Sequence, residues 1–598
     1  MPSLRAFFFR YLMIVLVNME DIDHIRHSLA HVLAAAIKNL YPKAKFGIGP
    51  TIENGFYYDF DNITIIDKDL VAIEREMRKI ISKDNPFKKQ LWPYLKAKNH
   101  FKKEKALYKV ELIEDLKKDS KKKDFKVGMV HMGELFLDLC RGGHVKSTNE
   151  LAKDAFKLTS IAKAYWKGDE KRPQLTRIYG VAFQTKKELS EYLNILKQAE
   201  KKDHRKLGQK LGLFFFHETA PGMPYWLPKG LKLYNELISF WRKEHEKNGY
   251  QEITTPLLNK DSLYKISGHW EHYLENMFVI TTQEDEVYGL KAMNCPNAMI
   301  VYDFEKRSYR DLPLRLSDAG ILHRYERSGT LNGLFRVREF RQDDSHTFLT
   351  EDQVKDEYKN ILELVEKFYS AFNLSYSLRL GTRPKKYMGD AKSWNKAEKE
   401  LKEILKSSKK PFTVSEGDGT FYGPKIDILM KDSLGRDWQT GTIQTDFQIP
   451  KNFKLTYTDS NGKDKTPVTI HKAIFGSLER FIGILIEHYT GAFPLWLSPE
   501  QIWILPLSDT YNKKAEELKT ELLSELGDLR IIVKDESETL GRKIRDGELQ
   551  KIPYILVLGE KEVKQKVISV RERGKGDLGV MAKEKFIKKI SKEIEDKL

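Results

Sequence analysis

Residues 322–348 read LHRYERSGTLNGLFRVREFRQDDSHTF, and this stretch decides the fold of the largest region of the chain. Two runs of alternating polarity flank a glycine-containing segment, which predicts a β-hairpin. Arg324 and Glu326 stand two positions apart, so on a strand both side chains would face the same side. Such a face could hold a phosphate and an exocyclic amine together. Taken alone, the pattern fits an exposed, salt-bridged hairpin more often.

The chain on either side of this hairpin divides into regions with different patterns. Residues 203–498 alternate helical runs with strand-like segments that are neighbours in sequence, which indicates an antiparallel sheet. After Pro499, short apolar strands alternate with helical stretches, as in a compact α/β domain. The parts we predict are an N-terminal extension at 1–20, an α+β domain at 21–200, a central domain at 201–498 and a C-terminal domain at 499–598.

The N-terminal region mixes short strands with helices. Apolar periodicity predicts a helix at 27–40, and a lysine-dense stretch at 96–126 predicts a solvated helical hairpin. The polar stretch at 186–210 suits a linker helix. The apolar run at 6–17 is too short to span a membrane, so we interpret it as a short extension, with Met19 as an alternative start.

Composition narrows the class of protein. The chain has 598 residues and a net charge of +17, which points to a polyanionic partner such as nucleic acid, although lysine-rich solvated surfaces are common. It contains two cysteines, so no disulfide framework is indicated and we expect a cytoplasmic protein without a membrane anchor.

The second half of the quoted stretch makes the interpretation of the hairpin more specific. The Arg-x-Glu of residues 324–326, a loop, and the Arg-x-x-x-Phe of residues 336–340 together resemble motif 2 of the class II aminoacyl-tRNA synthetases. Residues 476–481, GSLERF, resemble motif 3 and are predicted inside an apolar helix. The helix predicted at 231–248, followed by GYQEITTP at 249–256, resembles motif 1, through which such enzymes form homodimers.

Other segments resemble one family within class II, the threonyl-tRNA synthetases. These segments are AMNCPN (292–297), RQDDSH (341–346), FYGPK (421–425), WQTGTIQTDF (438–447) and IHKAIFG (470–476). The resemblance runs from about residue 25 to the C-terminus. It implies an α+β multidomain protein with a class II antiparallel-sheet core and helices, an N-terminal α+β editing domain and a C-terminal α/β anticodon-binding domain. It also implies that the family's ubiquitin-like N-terminal domain is missing.

The resemblance further implies an enzyme that activates L-threonine with ATP and Mg²⁺ and transfers it to tRNA(Thr). Arg324 would contact the α-phosphate of ATP, Glu326 the adenine, and Arg336 and Arg480 the γ-phosphate. Guanidinium groups suit this task because their planar fork matches phosphate oxygens. The other substrate contacts that the resemblance implies are Met293, Gln342, Asp344, Tyr422, Lys425, Gln444 and Ser477.

One zinc ion per subunit is implied at Cys295, His346 and His471. No spacing rule finds these residues, and without the resemblance a buried thiol and two structural histidines would be the ordinary interpretation. Three protein ligands with an open position are typical of a working zinc site. Zinc would bind the amino and hydroxyl groups of threonine. Valine is nearly isosteric with threonine but has no hydroxyl group, so the site would exclude it. Serine differs only by one methyl group, worth about 1–3 kcal/mol, so a second, hydrolytic site is needed.

The residues for such a site occur in HSLAH at 27–31 and DLCRGGH at 138–144. Spacing alone leaves a metal site open as an alternative. The segments resemble the editing domain shared by threonyl- and alanyl-tRNA synthetases, which implies a metal-free pocket that hydrolyses mischarged Ser-tRNA(Thr). The family usually has proline where Gly143 stands. The residues implied in this pocket are His27, His31, Lys109, Asp138, Cys140 and His144.

The last hundred residues resemble an anticodon-binding domain, in which Lys551, Glu562 and Arg571 fall at base-reading or basic positions. Exposed charges on a sheet edge are the alternative for each residue. The whole chain has three alternative interpretations: a synthetase for alanine or proline, a non-catalytic RNA-binding paralogue, and a free-standing hydrolase of mischarged tRNA. The implied zinc ligands and the editing domain ahead of the core disfavour the first. The implied ATP-binding residues disfavour the second, and a complete synthetase core disfavours the third.

Overall fold

A computed structural model of the chain describes residues 4–120, 124–169, 171–408, 410–432 and 435–597, with side chains from residue 21 onward. The chain forms two compact units, Met1–Lys197 and Gln198–Leu598. Within the described part, every helix is too short or too polar to cross a lipid bilayer.

The N-terminal unit contains two antiparallel sheets and several helices. One sheet has the strand order β1-β3-β8-β7, with β2 also paired to β3, and the other has the order β4-β5-β6. The elements are α1 (Leu4–Leu40), β1 (Lys45–Phe46), β2 (Thr51–Ile52), β3 (Gly55–Asp61), α2 (Leu70–Ile81), β4 (Phe87–Pro93), α3 (Tyr94–Lys103), α4 (Leu107–Asp119), β5 (Lys126–Met132), β6 (Phe136–Leu139), β7 (Phe156–Tyr165), β8 (Gln174–Ala182) and α5 (Lys186–Lys202), whose last residues enter the second unit.

The core of this unit lies between α1 and β3. Small apolar residues of α1 such as Ala30 and Leu33 pack against Phe56 and Phe60 of β3. The first helix begins at Leu4 rather than at residue 27, so the expected extension is helical in its backbone, and its side chains lie outside the described residues. The lysine-dense stretch forms α3 and α4, as predicted.

The second unit begins with the region predicted as the central domain, residues 201–498. Its elements are α6 (His204–Lys210), β9 (Phe214–Phe216), β10 (Pro224–Trp226), α7 (Pro228–Lys247), β11 (Gln251–Glu252), β12 (Leu258–Lys260), α8 (Asp261–Ile266), α9 (His269–His272), β13 (Val279–Thr281), β14 (Val287–Leu290), α10 (Cys295–Asp303), β15 (Arg307–Ser308), β16 (Leu314–Asp318), β17 (Ile321–His323), β18 (Glu339–Leu349), α11 (Val354–Ser370), β19 (Ser377–Gly381), α12 (Ala391–Ser407), β20 (Phe412–Ser415), β21 (Lys425–Lys431), β22 (Asp437–Asp446), α13 (Ile449–Asn452), β23 (Tyr457–Thr458), β24 (Asp464–Lys465), β25 (Val468–Ser477) and α14 (Leu478–Tyr489).

The large sheet of this unit has the order β11-β16-β18-β25-β22-β21-β19-β20. Its pairs are antiparallel except for β11–β16 and β19–β20 at the two edges. Helices α7, α11 and α14 share one apolar core with the sheet, to which β25 contributes Ile470 and Ile474. The alternation of a strand therefore directs His471 and Ala473 to the opposite face.

The quoted stretch forms the predicted hairpin, because β17 and β18 pair in antiparallel fashion. Strand β17 ends at His323, however, so Arg324 and Glu326 lie in the irregular segment that follows it. The motif 3 segment was expected inside a helix, but Gly476 and Ser477 end β25 and the helix begins at Leu478. The reason is local: the Ser477 side chain accepts a hydrogen bond from the backbone N–H of Arg480 and caps the helix.

The C-terminal region forms a smaller sheet with the order β27-β26-β28-β29-β30. The short apolar strands predicted after Pro499 are present as β26, β27, β28 and β29. The fifth strand was not predicted, because its mostly exposed residues, GDLGVMA, carry no apolar pattern. The elements are β26 (Ile502–Pro506), α15 (Asn512–Leu526), β27 (Ile531–Val533), α16 (Leu540–Leu549), β28 (Tyr554–Leu558), α17 (Glu560–Gln565), β29 (Val567–Glu572), β30 (Gly576–Ala582) and α18 (Lys583–Glu595).

Two arginines attach this region to the core. Arg530 forms an ion pair with Glu236 of α7 at 2.5 Å and donates to the carbonyl of Trp496 at 2.7 Å. Arg573 donates to the carbonyl of Phe493. These bonds join the C-terminal sheet to the end of the core through side chains that are mostly buried.

The packing of α7 makes a prediction about stability. A Cβ atom at Gly230 would lie 1.9 Å from the carbonyl oxygen of Leu213, so Gly230→Ala is expected to lower the free energy of unfolding by about 1–3 kcal/mol. In α16, a Cβ at Gly541 meets no described atom within 4 Å, so Gly541→Ala is expected to raise stability by roughly 0.5–1 kcal/mol. Urea unfolding of both variants measures the difference, and effects of the same sign would contradict the packing.

Candidate functional site

A row of polar side chains crosses the large sheet on the face opposite its core. Strand pairing places His346 of β18 opposite His471 of β25, and His471 opposite Gln444 of β22. Gln444 in turn lies opposite Lys425 of β21. Directly paired residues project to the same face of a sheet, so the ladder alone brings these four side chains together.

The first three residues of this row line a cavity of about 290 Å³. Gln342 and Asp344 join them because they precede His346 on β18 at every second position. The predicted residues that line the cavity are Met293, Cys295, Arg324, Gln342, Asp344, His346, Tyr422, Gln444 and His471. The other lining residues were not predicted; they are His269, Tyr273, Thr420, Phe421, Thr442, Lys472 and Ala473.

Three residues in this cavity could hold a metal ion. The ligand atoms of Cys295, His346 and His471 all lie within 4.8 Å of one another, and the three side chains are buried. Nε2 of His471 is 2.9 Å from a carboxylate oxygen of Asp446. Because a carboxylate only accepts, this nitrogen carries the proton and Nδ1 keeps its lone pair for a ligand. A carboxylate behind a ligating histidine is typical of zinc sites.

The electrostatics of the cluster fit a cation of zinc type. Nε2 of His346 is buried and has no hydrogen-bond partner among the described residues. Burial holds the pKa of His346 well below its usual value, which keeps the ring neutral and able to coordinate. Burial also raises the pKa of the Cys295 thiol, so a bound cation would be needed to stabilise the thiolate. An orphaned imidazole nitrogen beside a thiol and a second imidazole suits zinc better than magnesium.

His269 is a neighbour of this cluster that sequence reasoning missed. Its Nε2 atom lies 3.7 Å from Sγ of Cys295, and its Nδ1 atom lies 2.9 Å from the hydroxyl of Ser267. It occurs in an ordinary helix start, Gly268-His269-Trp270, and no spacing rule relates it to residue 295. Only the fold brings the two residues together.

Arg324, Arg336 and Arg480 form an electropositive group beside the cavity. Arg480 donates to the carbonyls of Phe335 at 2.8 Å and Gln439 at 2.6 Å. Burial and, to a smaller extent, the charges of the two other arginines lower the pKa of Arg480 to about 10. Like charges held so close favour a polyanionic ligand, because its binding relieves their repulsion.

The remaining predicted residues of the core are held by neighbouring side chains. Glu326 pairs with Arg336 at 2.9 Å. Lys425 pairs with Asp427 at 3.1 Å, the hydroxyl of Tyr422 donates to Gln444, and Ser477 caps α14. These contacts pre-orient polar groups around the cavity.

Asp344 is a cavity residue whose carboxyl group has a shifted pKa. It accepts a hydrogen bond from the side-chain amide of Asn294 at 3.1 Å. Burial raises the pKa of its carboxyl group to about 6. A carboxylate held in this way is ready to pair with a positively charged ligand group such as an ammonium.

Four predicted residues meet in the N-terminal unit, at the place where the resemblance implies an editing pocket. His27 and His31 are one turn apart on α1, while Cys140 and His144 come from the loop after β6. Sγ of Cys140 lies 3.4 Å from Nε2 of His27 and 3.9 Å from Nε2 of His144. The four ligand atoms lie within 4.8 Å of one another, so the geometry alone permits a metal ion here as well.

The protonation of His27 follows from its partners. Its Nδ1 atom is 3.2 Å from the carbonyl oxygen of Gly143, which only accepts, so Nδ1 carries the proton and Nε2 keeps the lone pair, which faces the Cys140 thiol. Gly143 has a φ of +85°, which proline cannot adopt. The backbone path of this loop, which presents the Gly143 carbonyl to His27, therefore requires a residue other than proline at this position.

The two other predicted residues form a buried ion pair at the back of the pocket. Lys109 of α4 pairs with Asp138 of β6, and both side chains are 4% exposed. The hydroxyl of Tyr58 on β3 donates to Asp138 at 2.6 Å and accepts from Lys109 at 3.0 Å. Tyr58 was not predicted as a site residue, because nothing in GFYYDF distinguishes it from the other aromatic residues of a strand.

The C-terminal region has a cavity of about 580 Å³ in which Lys551 and Arg571 lie together. Glu562 does not line it. Its carboxylate is buried and accepts from the N–H of Gly559 at 3.0 Å and from the hydroxyl of Ser569 at 2.9 Å. The structure therefore brings together two of the three residues predicted for this surface.

Models of protein families match three segments of the chain. The tRNA synthetase class II core domain (G, H, P, S and T) matches residues 278–489. The anticodon binding domain matches residues 501–593, and the threonyl and alanyl tRNA synthetase second additional domain matches residues 127–179. The segments coincide with the central sheet, the C-terminal sheet and part of the pocket in the N-terminal unit.

Similar proteins cover nearly the whole chain. A threonine–tRNA ligase of Clostridioides difficile (strain 630) is 49% identical over 581 residues, which are 97% of this chain and 89% of that protein. One from Carboxydothermus hydrogenoformans is 47% identical over 579 residues, 97% of this chain and 90% of that protein. A crystal structure of the RNA binding domain of threonyl-tRNA synthetase from Cryptosporidium parvum Iowa II has a TM-score of 0.63 and 40% identity, and covers 65% of this chain and 98% of that one. This chain therefore belongs to the threonine–tRNA ligases, a family of class II aminoacyl-tRNA synthetases.

Proposed function

We propose that the cavity on the central sheet activates L-threonine with ATP and transfers the threonyl group to the 3′ end of tRNA(Thr). In the first step the threonine carboxylate attacks the α-phosphorus of ATP, and pyrophosphate leaves. No protein base is required for this step, so catalysis depends on alignment and on neutralising charge. The observation that carries the proposal is the cluster of arginine side chains beside a cavity with polar groups for an amino acid.

The three arginines bind different phosphate groups of ATP. Arg324 contacts the α-phosphate, and Arg336 and Arg480 hold the γ-phosphate of ATP that enters with Mg²⁺. Glu326 receives the adenine amino group. Glu326 already lies 2.9 Å from Arg336, so both side chains are held in the same small region before ATP binds.

Cys295, His346 and His471 hold one zinc ion per subunit. When bound, zinc supplies a Lewis-acid site for the amino and hydroxyl groups of threonine. Asp446 orients His471, and Asp344 and Gln444 lie close enough to contact the amino acid in the same cavity. A site that requires a hydroxyl group rejects valine strongly, whereas a purely apolar pocket distinguishes such isosteres only about a hundredfold.

This selection predicts a ranking in amino-acid-dependent exchange of pyrophosphate into ATP. Threonine is expected to support strong exchange, serine weaker exchange because it lacks one methyl group worth about 1–3 kcal/mol, and valine almost none. The measurement is the exchange rate at equal concentrations of the three amino acids. Equal exchange with valine would contradict selection by the hydroxyl group.

Metal analysis tests the ligand set. Purified protein is expected to contain one zinc ion per chain, and Cys295→Ser is expected to lose zinc because the thiolate is the strongest ligand of the set. The matched control is Cys140→Ser in the N-terminal pocket, which is expected to keep the zinc content unchanged. Loss of zinc from the control alone would place the ion in the N-terminal pocket instead.

The pocket of the N-terminal unit hydrolyses Ser-tRNA(Thr). His27 is the base that accepts a proton from water, because Nε2 carries the lone pair of the ring. Lys109, Asp138 and Tyr58 form a buried network that positions the loop around Cys140 and orients the substrate ester. Burial raises the pKa of the Cys140 thiol to about 11, so this residue is a neutral neighbour and not a nucleophile.

Substitution of the base tests the editing proposal. His27→Asn keeps a donor for the Gly143 carbonyl but removes the base, so hydrolysis of Ser-tRNA(Thr) is expected to fall by roughly a hundredfold or more. Threonine transfer is expected to stay nearly unchanged, because the cavity on the central sheet is untouched. His100→Asn on α3 of the same unit, whose ring packs on Trp92 and Phe101, is the matched control and is expected to retain hydrolysis. Unaltered serine release by His27→Asn would refute the assigned role.

The pH dependence of hydrolysis provides a further test of the editing proposal. Burial lowers the pKa of His27, so the neutral form that accepts a proton persists below the ordinary histidine pKa of about 6.5. The rate of Ser-tRNA(Thr) hydrolysis at pH 6.5 is therefore expected to exceed half of its plateau value. A midpoint above pH 6.5 in the measured pH–rate profile would contradict a buried, neutral base.

The partners are tRNA(Thr) and a second copy of the chain. Lys551 and Arg571 contact the anticodon arm through their shared cavity, where cations suit phosphates. The homodimer forms through the core, where exposed apolar residues follow motif 1, among them Leu257 and Leu258. The free, buried thiols at the two proposed sites suit the reducing cytoplasm.

A further inference from the structure

His204 lies outside every motif discussed above, yet it is almost completely buried against the ATP-binding segment. It begins α6, the first helix of the second unit after α5, and it is 2% exposed. Its Nδ1 atom lies 2.9 Å from a carboxylate oxygen of Glu487 on α14. Its Nε2 atom accepts a hydrogen bond from the backbone N–H of Leu334 at 3.0 Å.

These two partners fix the tautomer of the ring. A backbone N–H can only donate, so Nε2 must carry a lone pair. A carboxylate can only accept, so the proton is on Nδ1. His204 is therefore a neutral bridge that links helix α14 to the loop of motif 2, and both of its nitrogens are used.

The loop residues that His204 contacts lead directly to the arginines of the ATP site. The ring of Phe335 packs on the His204 ring with centroids 4.2 Å apart, and the Phe335 carbonyl accepts from Nε of Arg480 at 2.8 Å. Arg336 is the next residue in the chain. A shift of the backbone at 334–335 would therefore move the carbonyl that holds one arginine and the Cα that carries the other.

Gly333 shows independently that the ring and the loop are closely fitted. This residue has a φ of +50°, and a Cβ atom there would lie 2.3 Å from Nε2 of His204. Any side chain at this position would displace the imidazole from the Leu334 N–H. The loop thus approaches the ring as closely as a glycine allows.

A metal ion is the competing explanation, because Asp203, His204 and Glu487 are close enough to bind one. The hydrogen bonds disfavour it. Both ring nitrogens are engaged, and the carboxylate of Asp203 accepts from the backbone N–H of Arg205 at 2.8 Å and from its guanidinium. The cluster is a set of satisfied hydrogen bonds.

We infer that His204 is a positioning residue for ATP binding: through the Leu334 amide it holds the loop that places Arg336 and Arg480. This inference rests on the roles proposed for those two arginines. It assigns to α6 a function that its sequence, DHRKLGQK, does not reveal, because the partner segments lie 130 and 283 positions away.

Two conservative substitutions separate the bonds. His204→Gln places an amide oxygen near the position of Nε2 and can accept from Leu334, whereas His204→Asn reaches only the position of Nδ1 and leaves the buried Leu334 N–H without a partner. Loss of a buried hydrogen-bond partner is expected to raise the KM for ATP about tenfold or more in pyrophosphate exchange with His204→Asn. His204→Gln is expected to stay within about threefold of the unsubstituted protein, and both should leave the KM for threonine within about threefold.

Gly333→Ala is the second test, because it reaches the same bond from the loop side and should also raise the KM for ATP. Hydrolysis of Ser-tRNA(Thr), catalysed in the other unit, and the unfolding midpoint monitor folding in every variant. Equal effects of Gln and Asn, or a fall in kcat with no change in the KM for ATP, would overturn the inference. Arg480→Ala is the reference: if it leaves the KM for ATP unchanged, the proposed ATP site fails, whatever the His204 variants show.

Discussion

The antiparallel ladder from β18 through β25 to β22 is the constraint on which the functional architecture depends. Its register places His346 opposite His471 and His471 opposite Gln444. Because side chains alternate between faces, a slip of one residue in either pair would turn a ligand into the apolar core. The isoleucines at 443, 470 and 474 are buried in that core against α7, α11 and α14. Their burial fixes the register of the strands and thereby keeps the site residues on the opposite face.

Buried charge is the second organising feature of the central sheet. The pKa of Asp344 is raised to about 6, that of Glu479 to about 7, and that of Arg480 is lowered to about 10, with burial the largest cause in each case. Each pKa shift arises because the group is already held away from water before a ligand binds. Such preorganisation costs stability in the free protein and strengthens electrostatic interactions when ATP and an amino acid bind.

Two sites in the chain contain a cysteine and histidines, and the partners of the histidines differ between them. Both have a buried histidine nitrogen without a hydrogen-bond partner among the described residues, on His346 in the central sheet and on His31 in the N-terminal unit, and in the central sheet a carboxylate also stands behind His471. In the N-terminal pocket, His27 is oriented by a backbone carbonyl and stacks on His144 with ring centroids 4.2 Å apart. Our proposals therefore assign similar residue types to a metal in one place and to a water molecule in the other, on the basis of these different partners.

The sequence by itself determined the hairpin at 322–348, the order of the motifs, the apolar strands after residue 501, and the residue types of both sites. These features are local or periodic, so neighbouring residues suffice to predict them. Only the tertiary structure decided that Arg324 and Glu326 leave the strand, that Glu562 is a buried cap, and that His204, His269 and Tyr58 touch functional groups. Each of these depends on contacts between segments far apart in the chain, and such contacts are set by packing and register, which no local pattern encodes.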